Sequence, residues 1–338
     1  MKETMSLPAM IRDLSDPGAL PDETTGVSLV QTHISAVLVA DRFVYKIKKA
    51  VNFGFLDFLT LENRAFYCRQ EVTLNRRLAK DIYIDVLPVY FDGERYSMRN
   101  PVGQVVEYAV KMKRIPSERL MISLYQKGAL TENHLHRLAG TLATFHGRAL
   151  RTPEIDRFGE PEAFMVNTEE NFAQIRKYVG LTISKKAFNT LERWTERFYR
   201  ANCSLFRRRV EKGRIRDCHG DLHMEHVCFS RSLSIIDCIE FNDRFRYSDT
   251  VADTAFLLMD LEYHGGEHFS GKLWQEYQRR TDDWGTENLL RFYKVYRAVV
   301  RGKVNSFQID DRGISPDAKE SAVGRARRYF SLALSYAA

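Results

Sequence analysis

The stretch Cys218-His219-Gly220-Asp221-Leu222-His223-Met224-Glu225-His226, followed by Val227-Cys228-Phe229, a Ser-Arg-Ser turn and Ser234-Ile235-Ile236-Asp237, decides how this chain is read. It is the densest run of reactive polar side chains in the sequence. It stands directly before two short apolar segments separated by a turn, the pattern of a hairpin. A loop, a hairpin and a second carboxylate at its far end make a compact pocket carrying Asp221 and Asp237.

Outward from this centre, the region before it is β-rich. Residues 28–49 alternate apolar and β-branched with polar side chains, predicting strands over 31–39 and 42–48 joined at Ala40-Asp41. From 59 to 80 the spacing of Leu61, Ala65, Cys68, Val72 and Leu74 or Leu78 is that of one helix face. Strands are expected again over 83–90, 96–99 and 104–112. Beyond Pro116 the periodicity is mainly helical. Thr131 is a candidate N-cap, Phe188, Leu191, Trp194 and Phe198 mark a helix ending near Gly213, and two apolar helices are expected over 248–261 and 287–307. Ser315-Pro316 signals the start of a last helix.

Phosphoryl transfer from ATP asks for one carboxylate to orient the acceptor hydroxyl, ligands for a divalent metal, a cation on the phosphates, and a carboxylate to hold that cation. Each part has a candidate here. Asp221 suits the hydroxyl and Asp237, sixteen residues later, the metal. Lys46 follows the apolar strand Phe43-Val44-Tyr45, and Glu71 lies on the helix, so a buried Lys–Glu pair at a strand–helix junction would fix the lysine. Lys46 and Lys48 share a strand face. Lys46 is preferred for its apolar setting, with Lys48 and Lys49 expected in solvent.

His219-Gly220-Asp221 and Asp237 match a catalytic motif H-G-D-x-x-x-x-N followed by a hairpin and a metal-binding Asp. The chain therefore resembles the aminoglycoside phosphotransferase-like branch of the protein-kinase-like fold. Tyr45–Lys49, Phe53–Phe58, Glu107–Met112 and Asp237–Asp243 are similar to the N-terminal domain of bacterial bifunctional aminoglycoside phosphotransferase/ATP-binding proteins, over residues 25 to 310. The resemblance implies an α+β, bilobal fold: a small β-rich N-lobe over 1–112 and a larger helical C-lobe over 113–338, which holds the catalytic loop 218–228 and the metal-binding hairpin 227–241. It implies ATP in the cleft between the lobes, with Lys46, Glu71 and Met112 on the nucleotide, Asp221 and His219 in the catalytic loop, and Asp237 with His226 on Mg²⁺. For His219 the structural role of holding Asp221 is preferred to direct proton transfer. Asp253 is expected to accept hydrogen bonds from the catalytic loop.

Two departures from the family pattern matter. The residue five after the catalytic Asp is His226 in place of Asn. Imidazole suits Mn²⁺ or Zn²⁺ better than Mg²⁺. Three roles stay open: a metal ligand through a ring nitrogen, a donor to phosphate, or the mark of a domain that binds nucleotide without turnover. Longer relatives carry a P-loop domain after the kinase-like part, for which no room is expected here. The nearest pattern, Gly266 to Lys272, is followed by Leu273 where a hydroxyl is needed, and it is read as an interhelical loop.

Composition bounds the remainder. With 338 residues, 44% hydrophobic and 28% charged, the chain is an ordinary globular one, which excludes collagen-like, low-complexity and disordered classes. No apolar run approaches the length of a membrane span and no secretory signal is evident, so a cytoplasmic protein without membrane partners is expected. Five cysteines, without C-x-x-C spacing, suit a reducing compartment and packing roles. A His219, His223, His226 metallohydrolase cluster is disfavoured because the context is loop and hairpin, not helix. The arginines of Leu205–Arg216 and of the last helices read as solvated faces, and without an aromatic RNA motif nucleic acid is not an expected partner.

The net charge of +7 suits ATP and counts against a polycationic aminoglycoside acceptor. The expected function is ATP-dependent phosphorylation of a hydroxyl on a neutral or anionic small molecule, such as a sugar or metabolite. The alternative is a nucleotide-binding pseudokinase or regulatory module that docks a partner, for example a separately encoded P-loop protein.

Overall fold

Alternating sequence after Ser28 and the 3.6-residue spacing after Thr60 fold side by side in a computed structural model, which describes residues 7–311 and 313–338. The chain divides into two compact units, one running to Gly128 and including Glu225–Asp243, the other formed by Ala129–Met224 and Arg244–Ala338.

The first unit holds α1 (Leu7–Leu14), β1 (Ser28–Gln31), β2 (Ser35–Val39), β3 (Phe43–Lys48), α2 (Leu61–Ala79), β4 (Tyr83–Phe91), β5 (Tyr96–Ser97), β6 (Gln104–Lys113) and α3 (Met121–Gln126). The six strands form one antiparallel sheet in the order β1-β2-β3-β6-β4-β5. The first predicted strand is interrupted: Thr32 turns the chain, its hydroxyl accepting from the Ser35 amide at 3.0 Å, and the turn makes a hairpin of β1 and β2.

Period-two alternation in β3 sends Tyr45 and Ile47 to one face, where they pack with Leu14, Leu20, Leu38 and Val89. Lys46 and Lys48 go to the other, toward α2, whose Cys68, Val72 and Ala79 pack on Tyr83 and Val110. Thr60 caps α2, accepting from the Asn63 amide at 3.1 Å. The predicted hairpin is present, Val227–Phe229 pairing with Leu233–Ile235. It belongs to the β-rich unit, bridging from Cys228 to Leu120 and from the Cys238 amide to Asn75 Oδ1 of α2 at 2.9 Å.

The second unit contains α4 (Glu132–Arg148), α5 (Pro153–Asp156), α6 (Pro161–Ile175), α7 (Lys185–Glu211), α8 (Asp243–Arg246), which leads back into it, α9 (Thr250–Tyr263), α10 (Glu267–Thr281), α11 (Glu287–Phe307) and α12 (Pro316–Ala337). A short antiparallel pair, Ile215–Asp217 with Tyr247–Asp249, frames the catalytic-loop segment. Its core gathers Phe172, Ile175, Leu191, Phe256, Val295 and Phe330. α11 and α12 approach so closely that a Cβ on Gly302 would stand 2.6 Å from the Phe330 ring. Gly302→Ala is therefore expected to destabilise by about 1–3 kcal/mol through overpacking, a shift readable in urea midpoints.

Two sequence expectations are corrected. The segment from Gly266 to Leu273 is not a loop but the start of α10; Gly265, at φ 82°, ends the preceding turn, and Lys272 lies on the helix 3.2 Å from Glu132. Arg209 is not solvated: it is buried and paired with Asp249 at 2.8 Å and with Asp283, because α7 turns this position inward. Among the described residues no helix is long and apolar enough to cross a membrane.

Candidate functional site

In the first unit, β3 and α2 hold a chain of charges. Lys46 Nζ stands 2.9 Å from Glu71 Oε1 and 2.7 Å from Asp237 Oδ1. Glu71 is fully buried and Lys46 nearly so, whereas the Asp237 side chain is 42% exposed. Burial opposes the charge on Lys46, but Asp237 and Glu71 outweigh it and hold its pKa well above the usual value. The same balance holds the Glu71 carboxyl low: burial would raise it, and Lys46 and Lys48 pull it down.

Lys48 departs from the solvated state expected of it. Its side chain is 1% exposed, with Nζ 2.6 Å from Glu71 Oε2 and paired as well with Glu240. An ammonium can stay charged in that position because two carboxylates replace its water. Glu240 escaped sequence reading, although its place three residues after Asp237 was a usable signal. Lys49 lies at the surface on the Thr32 carbonyl.

Asp237 adopts φ 61°, a left-handed conformation that short polar side chains tolerate best among non-glycine residues. Its amide donates to the Tyr83 hydroxyl at 3.1 Å, which fixes the carboxylate against β4. His226 Nε2 lies 3.6 Å from Asp237 Oδ2, and the Ile236 amide donates to the His226 carbonyl. Asp237 and His226 therefore present one oxygen and one nitrogen from the two ends of the hairpin. Met112 pairs with Val44 and Tyr83 in the sheet and, like Ile115 and Ile236, packs against the cluster of Cys68, Val72 and Val110.

In the second unit, Asp221 lies on a loop held from behind. Asp253 of α9, fully buried, accepts from the His219 amide at 3.0 Å and the Gly220 amide at 2.8 Å, and its Oδ2 lies 3.1 Å from His146 Nε2. Burial would raise the Asp253 pKa, yet the His146 contact and the amides keep it far below the carboxylate range. The His219 ring Nδ1 accepts from the Asp221 amide at 3.3 Å, and the ring is buried. The contact ties the His219 ring to the backbone of the loop. The Asp221 side chain is 32% exposed and 3.6 Å from His223 Nε2. Burial lowers the His223 pKa, but the Asp221 charge overrides it and the net shift is upward.

Arg297 of α11 is a contributor that sequence reading missed: its guanidinium donates to the Gly220 carbonyl at 2.9 Å and to the Ala252 carbonyl at 3.2 Å. Nothing local in an amphipathic helix marks an arginine that reaches a distant loop. Asp253→Ala would strip two buried amides of their acceptor. It is expected to cost about 3 kcal/mol or more in urea unfolding. A change below about 0.5 kcal/mol would show that water replaces the carboxylate.

Four of the five cysteines are buried. Burial pushes the Cys68 thiol up to about 12 and the Cys218 thiol well up, which keeps both protonated and unreactive, in line with packing roles.

A family model described as the phosphotransferase enzyme family matches residues 67–290. An uncharacterized protein of Mycobacterium tuberculosis is 32% identical over 298 residues, covering 88% of this chain and 58% of that protein. One from Mycobacterium bovis matches to the same extent. The chain thus spans 58% of the length of the curated relatives it matches. Among solved structures, an amicoumacin kinase in complex with AMP-PNP and Ca²⁺ superposes with a TM-score of 0.55 at 11% identity, over 90% of this chain and 88% of that one. A choline/ethanolamine kinase family protein from Mesorhizobium loti gives 0.51 at 13% identity, over 93% of both. At these identities the likeness speaks for the α+β, kinase-like fold alone.

Proposed function

Because the chain belongs to the phosphotransferase enzyme family, we propose that it transfers a phosphoryl group from ATP to a hydroxyl of a small molecule, in the cytoplasm. The carrying observation is Lys46, an ammonium clamped between buried Glu71 and half-exposed Asp237. A cation fixed in this way, with a carboxylate beside it that still faces solvent, suits phosphates and their metal. The nucleotide and metal bound by one structural neighbour are of the same class.

In this reading the β-rich lobe takes the nucleotide, with Lys46 and Glu71 on its phosphates and Met112 at its end of the sheet. The helical lobe takes the acceptor. Asp221 accepts a hydrogen bond from the acceptor hydroxyl and takes its proton as the new bond forms. His219, Asp253 and Arg297 hold the loop, so that Asp221 needs no reorganisation at the moment of reaction.

Asp237 and His226 form the donor set for a divalent cation, which would neutralise charge on the transferred group. One carboxylate oxygen and one imidazole nitrogen suit Mn²⁺ at least as well as Mg²⁺. His226→Asn is therefore expected to raise Mg²⁺-supported turnover relative to Mn²⁺, measured as initial rates in each metal. An unchanged metal preference would remove His226 from the metal.

The acceptor is proposed to be neutral or anionic, since a chain of net charge +7 offers little to a polycationic antibiotic. Incubation with labelled ATP, either metal and a metabolite pool, compared with Asp221→Ala, tests the whole reading. Efficient phosphorylation of kanamycin-type compounds in preference to sugars and anionic metabolites would refute the acceptor class. His226 also motivates a second reading, a nucleotide-binding module that docks a partner; tight ATP binding without transfer in either metal would favour it.

A further inference from the structure

Several buried or half-buried cations of the helical unit are matched by carboxylates. Arg209 meets Asp249 and Asp283, Arg246 meets Asp217, Lys294 meets Glu262, and Arg244 grips Glu170 with two nitrogens at 2.5 and 2.9 Å. α11 gathers three cations held otherwise within two turns, whereas Arg216 and Arg325, likewise held by carbonyl and amide oxygens, stand singly on other elements. Arg297 binds only carbonyls. Lys303 is held by the side-chain oxygens of Asn171 at 2.6 Å and Gln174 at 2.9 Å. Burial lowers its pKa to about 8, with Glu170 opposing and Arg244 adding to the fall.

Arg301 lies one turn beyond Arg297, which reaches the Gly220 carbonyl next to Asp221. Its one hydrogen bond is a long contact from Nε to the Tyr329 hydroxyl at 3.4 Å, and its guanidinium carbon stands 5.6 Å from the Tyr329 ring centroid. Among the described residues no ion pair within 4.0 Å joins it to a carboxylate. Burial opposes its charge, but Tyr329, Asp221 and Asp260 outweigh it and raise its pKa. A planar guanidinium hydrogen-bonded through Nε, on a helix whose Arg297 grips the loop beside the candidate hydroxyl-binding carboxylate, is a ready receptor for an oxyanion.

We propose that Arg301 receives an anionic group, a phosphate or carboxylate, borne by the same acceptor molecule whose hydroxyl Asp221 orients. The inference rests on the phosphotransferase reading and narrows it from a neutral or anionic acceptor to an anionic one. Arg297 and Lys303, on the same helix, are committed to loop and side-chain carbonyls.

The test uses labelled ATP with two matched acceptor pairs, ribose against ribose 5-phosphate and glycerol against glycerate. The wild type is expected to favour the anionic member of a pair by about tenfold or more in kcat/KM, the scale of one charge-assisted bidentate contact. Arg301→Gln should bring that ratio near one through KM, while Arg301→Lys keeps part of it. Thermal melting of both variants confirms folding. Equal use of both members, or a loss of equal size on both, as a contact to the transferred phosphoryl group would give, overturns the proposal. Inorganic phosphate titrated by NMR gives a readout free of turnover. Binding weakened about tenfold by Arg301→Gln supports the site, and binding unaffected by it refutes the site. Arg301-dependent phosphate binding without transfer to any acceptor would sink the phosphotransferase reading and leave the anion site standing.

Discussion

Asp221→Asn is expected to lower phosphoryl transfer by about 10²–10⁴-fold, the range for loss of a positioned general base. The substitution keeps the side-chain shape, and the backbone of the loop is held by other groups: Asp253 takes the His219 and Gly220 amides, and His219 takes the Asp221 amide. Folding should therefore survive, and the loss should appear in kcat measured with labelled ATP. A second readout is independent of substrate. Asp221 is what lifts the His223 pKa against burial, so the His223 value should fall in the variant, as followed by NMR of the ring protons. A loss of less than about tenfold would take Asp221 out of the acceptor role.

Glu71→Gln is the substitution with the largest expected effect on stability, about 3–5 kcal/mol, because it leaves two lysines of a buried network short of a carboxylate. Glu71 is fully buried and meets Lys46 and Lys48 through separate oxygens. The sign of the pH dependence follows from the shifts. Against burial, Lys46 and Lys48 hold the Glu71 carboxyl below its ordinary 4.5. Its contribution is thus complete above that pH and is lost as pH falls through the lowered folded value. Against burial, Asp237 and Glu71 hold Lys46 above its ordinary 10.5, so its contribution is complete below that pH and is lost as pH rises through the raised folded value. Urea unfolding should show wild-type stability declining at both extremes and a flattened acid limb in the variant. A Glu71→Gln variant within about 1 kcal/mol of wild type would mean that Asp237 and Glu240 suffice for the two lysines.

Much of the site was legible because its parts are local. A strand lysine after three apolar residues, a glutamate on a helix with 3.6-residue spacing and an aspartate closing a hairpin each carry their own short-range signal, and the structure joins Lys46 to Glu71 and Asp237. Lys48 was misjudged because alternation gives the face of a strand but not what covers it: α2 and Glu240 supply the carboxylates that keep it charged in the interior. Thr32 was read inside a strand because its β-branched side chain fits one, while its hydroxyl serves the turn. Arg297 and Arg301 look like any arginines of an amphipathic helix, and only their distant partners set them apart.

By itself the sequence determined the order of strands and helices, the family resemblance and the short motifs, since hydrophobic period, caps and turn residues act over a few positions. Only the tertiary structure decided which charges meet. Lys46 and Asp237 are 191 residues apart, and Lys48 and Glu240 are 192 apart. It also decided that the hairpin joins the β-rich unit. Such contacts depend on packing that brings remote segments together and removes their water, and neither proximity nor desolvation is written in local spacing.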